Sequence, residues 1–368
     1  LDVQGAILIL AEEGTMKEMN RREFMKTSAA AGAALVAGSV LKGGGSMAYG
    51  SVKIPEVEKL TITVITDNYY DCLRWPEKIA TRTTVVVPGL TLHAEHGLAY
   101  YIETVVRGKS YNFMFDYGWD FQGVSRNLDL LDIDLRKLDA LALSHGHLDH
   151  HGNLIPLLKQ NKSKFRKGIP LYVGEEAFAR RWVNFSKTYA PVDGWNDLGQ
   201  LNREDLENLG IVKLMEVKEP TSIVPGAYLT GNIERVTEYE KGSPILFIDR
   251  GGKRENDIFP GEQSLIFNVQ GRGLVVVSAC AHAGIVNTVK HAQKMTGIDK
   301  VHAVIGGFHL VGAPPAKINA TVSGIKSLRP DYIVPMHCSG WEAITSFERE
   351  MPEEFVLNMA GTKYHFPT

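Results

Sequence analysis

The sequence predicts a layered α/β fold, on three observations. Short aliphatic or β-branched runs recur from Leu60 onward, helix-like segments alternate with them, and run after run stops at an Asp or a His. Near-continuous apolar runs of this length read as strands buried on both faces, and their alternation with helices points to packed sheets with helices outside.

The runs come in order. Thr61–Thr66 stops at Asp67, Tyr111–Phe115 at Asp116, and Ala140–Ser144 at His145. Gly273–Ser278 leads through Ala279 and Cys280 to His282, Val301–Ile305 leads through Gly306-Gly307-Phe308 to His309, and Tyr332–Met336 stops at His337. Helices are expected at Asn153–Lys159, Gly284–Met295 and Ala316–Leu328. In open α/β sheets functional side chains gather beyond the carboxyl ends of strands, where these residues fall. Residues 185–260 break the rhythm and read as partly an insertion capping the site, with strands near Ile211–Val217 and Ile245–Ile248.

Composition sets the bounds. The chain has 368 residues, 44% hydrophobic and 22% charged, with 36 Gly, 16 Pro and 3 Cys. That excludes collagen, coiled coil, disorder and a disulfide scaffold. Forty basic against 42 acidic side chains leave a net charge of −2, which gives a nucleic-acid backbone or an anionic membrane no footing. The expected partner is a small molecule.

Residues 144–152 read Ser-His-Gly-His-Leu-Asp-His-His-Gly. Four histidines fall within seven positions, where composition alone would supply about 0.2. His145 and His147, two apart on an extended segment, project to one side and can share an ion, while Asp149 and His150 open the next helix and can reach a second ion about 3.5–4 Å away. Imidazole with carboxylate suits zinc, with iron or manganese as alternatives.

The His-x-His-x-Asp-His pattern resembles the metallo-β-lactamase superfamily across most of residues 58–340. That resemblance implies a four-layer αββα sandwich with a dinuclear metal site at one edge of its two sheets, and an orienting role for Asp116. Further motifs are similar to the branch named for dihydropterin-ribofuranosylaminobenzene-phosphate synthase. They are Asp67-Asn68, Ala94-Glu95-His96-Gly97-Leu98, Gly261-Glu262-Gln263-Ser264-Leu265, Cys280–Asn287, Gly306–Leu310 and Pro335–Gly340. The resemblance links Asp67, Glu95 and His96 to substrate. One departure is the absence of the usual bridging aspartate; Cys280 and His282 stand in that region.

The resulting assignment is His145, His147 and His282 around one divalent ion, and Asp149, His150 and His337 around the other. A water between two ions loses a proton near neutral pH and becomes the nucleophile, with Asp149 also holding it. His309 is the general acid, or exchanges roles with His337. Cys280 either ligates as a thiolate or packs as a small apolar group, and Cys338 supports the site from beside His337. His93, His291, His302 and His365 read as structural or exposed.

Upstream, Asn20-Arg21-Arg22-Glu23-Phe24-Met25-Lys26 precedes an Ala/Gly/Val-rich run, Ser28 to Leu41, which resembles a twin-arginine export signal. The 15 residues between Lys26 and Lys42 fall short of the about 20 that a membrane span needs. Residues 1–48 are therefore expected to be signal and linker, with a catalytic domain over 49–368 delivered by the twin-arginine machinery to the periplasm or beyond and carrying no stable membrane span. Three functions fit: a dinuclear hydrolase of a phosphoester or lactone, a pterin-related transferase or synthase on the same fold, and a non-catalytic metal-binding or sensory protein.

Overall fold

The computed structural model describes residues 52–85, 87–185 and 194–367. Two large sheets lie face to face. The first has eight strands in the spatial order Val212–Val217, Ile169–Gly174, Ala140–Ala142, Lys109–Phe115, Ala99–Val106, Lys59–Thr66, Thr362–Pro367, Ala80–Arg82. Its first four strands run parallel and the others antiparallel. The second sheet runs Thr221–Val224, Ala227–Leu229, Leu265–Val269, Gly273–Val277, Val301–Gly307, Tyr332–Met336, with Glu56–Val57 beside Leu265–Val269.

Side-chain alternation explains the layering. In Leu265–Val269, residues Leu265, Phe267 and Val269 enter the core between the sheets, whereas Ile266 enters the core beneath the outer helices. Every strand of this kind is buried twice, and each such side chain contributes about 1.5–3 kcal/mol of burial. Helices Phe121–Leu130, Leu154–Gln160 and Arg203–Asn208 cover the first sheet through Val124, Leu128, Leu154, Leu157 and Leu206. Helices Ile285–Thr296, Pro315–Leu328 and Trp341–Glu350 cover the second through Ile285, Val289, Val322, Ile325 and Phe347. The fold is a four-layer αββα sandwich.

The irregular region departs from its expected outline. Val212–Val217 is not part of a cap; it pairs parallel to Ile169–Gly174 as an edge strand of the first sheet. Leu246–Arg250 instead joins Arg181–Asn184, Trp195–Gly199 and Lys253–Asn256 in a separate antiparallel sheet of four strands. Tyr189-Ala190-Pro191 and the export segment lie outside the described residues. Among the described residues no helix is long and apolar enough to cross a membrane.

Candidate metal centre

The His-rich segment leaves the strand Ala140–Ala142 under tight control from Asp116, which is fully buried. Asp116 accepts from the Ser144 amide and hydroxyl, both at 2.7 Å, and from His150 Nδ1 at 2.7 Å. Its carboxylate thereby fixes the His150 tautomer and aims Nε2 inward, where Cys280 Sγ lies 3.1 Å away. Asp116 adopts φ 61°, an unusual backbone state for a non-glycine residue that this network holds in place.

Gly146 is required by close approach rather than by a turn. A Cβ there would lie 2.3 Å from Arg181 Nη1 and 2.4 Å from the Ala177 carbonyl. Arg181 is itself buried; it donates to Asp257 at 2.9 Å and to the Gly146 carbonyl at 3.3 Å.

Two ligand groups result. His145, His147 and His282 have ring centroids 4.7–4.9 Å apart, an almost equilateral triangle, with His145 and His282 facing each other Nε2 to Nε2 at 3.2 Å. Asp149, His150, Cys280 and His337 form the second group; Asp149 Oδ2 stands 3.2 Å from His337 Nε2 and 3.5 Å from His150 Nε2. Within each group the donor atoms all lie within 4.8 Å of one another. The groups adjoin through His145 and His150, whose centroids are 4.4 Å apart.

The electrostatics of the trio suit a cation. In the quartet, against the effect of burial, Asp149 and Asp116 hold His150 well above the ordinary histidine range, and Cys338 with Asp149 raises His337. Burial, then the charge of neighbouring imidazoles, holds His145 and His282 well below the ordinary histidine range, and burial aided by Arg181 does the same for His147. Neutral imidazoles offer lone pairs. Burial opposes ionisation of Asp149, yet His150 and His337 hold its carboxyl well below the usual range. The Nδ1 atoms of His282, His309 and His337 are buried and have no hydrogen-bond partner. Three neutral imidazoles in one group, and a carboxylate, a thiol and two further imidazoles in the other, form a donor set that fits divalent metal.

The other expected residues separate. His309 packs against His282 at 4.1 Å and groups with Cys280 and Cys338. Cys338 Sγ lies 3.6 Å from the Cys280 carbonyl. His96 stands at the mouth, its side chain 56% exposed, stacked on His337 at 4.8 Å and 3.6 Å from Asp149.

Asp67 and Glu95, expected at the substrate, make bonds within the protein. Asp67 is buried and accepts from Asn358 Nδ2 at 2.7 Å, while its neighbour Asn68 donates to the His337 carbonyl at 3.0 Å. Glu95 spends both oxygens on the Trp119 and Asp120 amides, each at 2.8 Å, and so shapes the loop ahead of helix Phe121–Leu130. His302 pairs with Asp331 at 2.6 Å, and His291 contacts the Thr230 carbonyl at 3.3 Å.

Three supports were not foreseen. Glu262 grips the His282 and Ala283 amides at 2.7 Å each, and burial pushes its carboxyl up to about 7. Phe259 stacks on His282 with centroids 3.8 Å apart and planes at 3°. Arg181 is the third. Only Glu262 had a sequence signal, the Gly261–Leu265 motif; Phe259 and Arg181 acquire their roles solely through tertiary packing.

The chain is similar to known proteins. A family model described as the metallo-β-lactamase superfamily matches residues 95–222. A 7,8-dihydropterin-6-methyl-4-(β-D-ribofuranosyl)-aminobenzene-5'-phosphate synthase of Methanocaldococcus jannaschii is 33% identical over 274 residues, 73% of this chain and 89% of that one. The chain belongs to the metallo-β-lactamase superfamily. An uncharacterized protein of the same organism is 28% identical over 256 residues, 70% of this chain and 88% of the other. The solved structure of Tm1679, described as a metal-dependent hydrolase of the β-lactamase superfamily, shares the metallo-β-lactamase fold. It has a TM-score of 0.63 at 24% identity, covering 84% of this chain and 100% of that one. A model of the twin-arginine translocation pathway signal matches residues 18–38, so this member of the superfamily carries an export signal.

Proposed function

We propose that the chain is an exported dinuclear metal-dependent hydrolase acting on an ester-type small molecule, a phosphoester or a lactone. The observation that carries this reading is the pair of adjoining ligand groups. His145, His147 and His282 would hold one divalent ion, and Asp149, His150, Cys280 and His337 the other. When bound, such a pair supplies Lewis acidity and a water acidified to a pKa of about 7. Cys280 takes the ligand place left by the missing bridging aspartate. Residues 1–48 act as the removable signal, 49–368 as the catalytic domain, and the small antiparallel sheet around Leu246–Arg250 as its cap, with the periplasm or the exterior as destination.

The chain's own groups divide the remaining work. Asp116 keeps the His150 proton on Nδ1. Glu262 fixes the backbone that carries His282, and Phe259 keeps that ring in one plane. His309, whose Nδ1 is unpartnered beside His282, holds the proton delivered to the leaving oxygen.

H309A tests that role. Turnover is expected to fall about 100-fold or more with metal content intact; loss of metal instead makes His309 a ligand. The reaction class is tested by screening metal-loaded protein with chromogenic phosphodiester, phosphomonoester, lactone and β-lactam substrates. A second reading is a pterin-related synthase, favoured by the synthase activity for which the 33%-identical relative is named. Protein that is metal-loaded, inert to every ester and able to bind a pterin tightly would put that reading first.

A further inference from the structure

One cavity beside the histidine groups is distinguished by charge. It encloses about 390 Å³, and its walls include Ile233, Arg235, Lys241, Ile258, Phe259 and Pro260. That volume lies in the range of small-molecule sites. Two cations therefore share one small space in a chain whose net charge is −2.

Among the described residues neither Arg235 nor Lys241 has a carboxylate oxygen within ion-pairing distance, although the charge of Arg235 reaches Glu262. Among the described residues the neighbouring carboxylates are engaged elsewhere. Glu234 pairs with Lys294 and Asp257 with Arg181, Glu240 accepts from the Val286 and Asn287 amides at 2.9 Å each, and Glu262 holds the His282 and Ala283 amides. Arg235 is also pre-positioned. Its Nη2 donates to the Ile258 carbonyl at 2.6 Å, and its Nη1 lies 3.3 Å from where a Cβ on Gly242 would stand.

The cavity abuts the proposed reaction centre in two ways. Phe259 forms part of its wall and stacks on His282 with centroids 3.8 Å apart, its ring centroid 5.1 Å from that of His147. Lys241 faces this cavity, while its neighbours Glu240 and Gly242 border a smaller one lined by His282, His309 and Lys317. Phe259 also adopts φ 52°, a strained backbone state of the kind that clusters at ligand sites.

We propose that Arg235 and Lys241 seat an oxyanion head group, a phosphate or a carboxylate, on the molecule that the histidine site processes. The apolar walls from Ile233, Ile258, Pro260 and Phe259 receive the adjoining apolar or ring portion. This rests on the reading of the histidines as a metal centre and adds the class of substrate.

Calorimetric titration of the metal-loaded protein with phenyl phosphate, benzoate and benzyl alcohol tests it. The two anions are expected to bind and the alcohol to bind far more weakly, with affinity falling as salt rises. R235A/K241A should weaken anion binding by about tenfold or more with metal content unchanged, and K241E at the exposed lysine alone should weaken it measurably. Tighter binding of phenyl phosphate than of benzoate assigns a phosphate head, and the reverse a carboxylate. Unchanged affinity in R235A/K241A, or equal loss of benzyl alcohol, overturns the proposal. H145A/H147A separates the two readings. If that protein has lost metal and still binds the anion, the cavity stands on its own; if it no longer binds the anion with both cations in place, the anion sits on the metal and the proposal fails.

Discussion

The two ligand groups are built on different principles. The trio His145, His147 and His282 is all imidazole, with two members set by one short segment and the third clamped from both sides by Glu262 and Phe259. The quartet Asp149, His150, Cys280 and His337 mixes carboxylate, imidazole and thiol, and draws Cys280 and His337 from the ends of different strands of the second sheet. Each group takes two members from the one His-rich segment and needs the two sheets in register to meet the rest. The trio has one member from the second sheet, whereas the quartet has two and carries the negative charge.

Substitutions within the groups should break this contrast or sharpen it most. H145A/H147A and D149N are each expected to remove about one equivalent of metal by elemental analysis and to lower turnover by 1,000-fold or more (~10³), as losses of a metal-bound nucleophile do. If either variant sheds both ions together, the centre is one cooperative unit and the division fails. D116N leaves every ligand in place but removes the group that orients His150. Metal affinity is expected to drop about 10–100-fold on the quartet side only, read by competition with a chromogenic chelator.

F259A probes the trio's rigidity. The loss of a buried aromatic should cost about 3 kcal/mol in chemical denaturation, with weaker metal retention at the trio.

The smallest effect lies outside the centre. Burial holds His291 below its ordinary value, consistent with its neutral contacts to the Thr230 carbonyl and the Glu234 amide. The unfolded chain takes up a proton below pH about 6.5 that the folded chain refuses, so stability falls as pH drops from there, by no more than about 1.4 kcal/mol per pH unit. H291Q should flatten that slope in pH-resolved denaturation.

Much of this cluster was legible because in α/β sheets functional side chains gather beyond the carboxyl ends of strands. His145, His147, Asp149 and His150 form one contiguous word, and His282, His309 and His337 each follow an aliphatic run. The strand Tyr332–Met336 and the helices beginning near Ile285 and Pro315 lie where periodicity placed them. The supports were less legible, since a side chain that acts by filling space or gripping an amide leaves no local pattern. Arg181, 35 positions from the Gly146 carbonyl it holds, is such a case; so is Phe259, whose partner His282 lies beyond two intervening strands. Asp67 and Glu95 show the same limit: residue type gives no sign of the bonds each makes within the protein, Asp67 Oδ2 with the Asn358 side chain and Glu95 with the Trp119 and Asp120 amides.

The donors to each proposed ion come from both large sheets, with His145, His147, Asp149 and His150 on one side of the seam and Cys280, His282 and His337 on the other. A cation held there is a rivet through the sandwich, and its binding energy adds directly to resistance against prying the halves apart. Because the twin-arginine route moves chains that have already folded, the identity of the rivet is decided before departure, by the metal supply of the compartment where folding occurs.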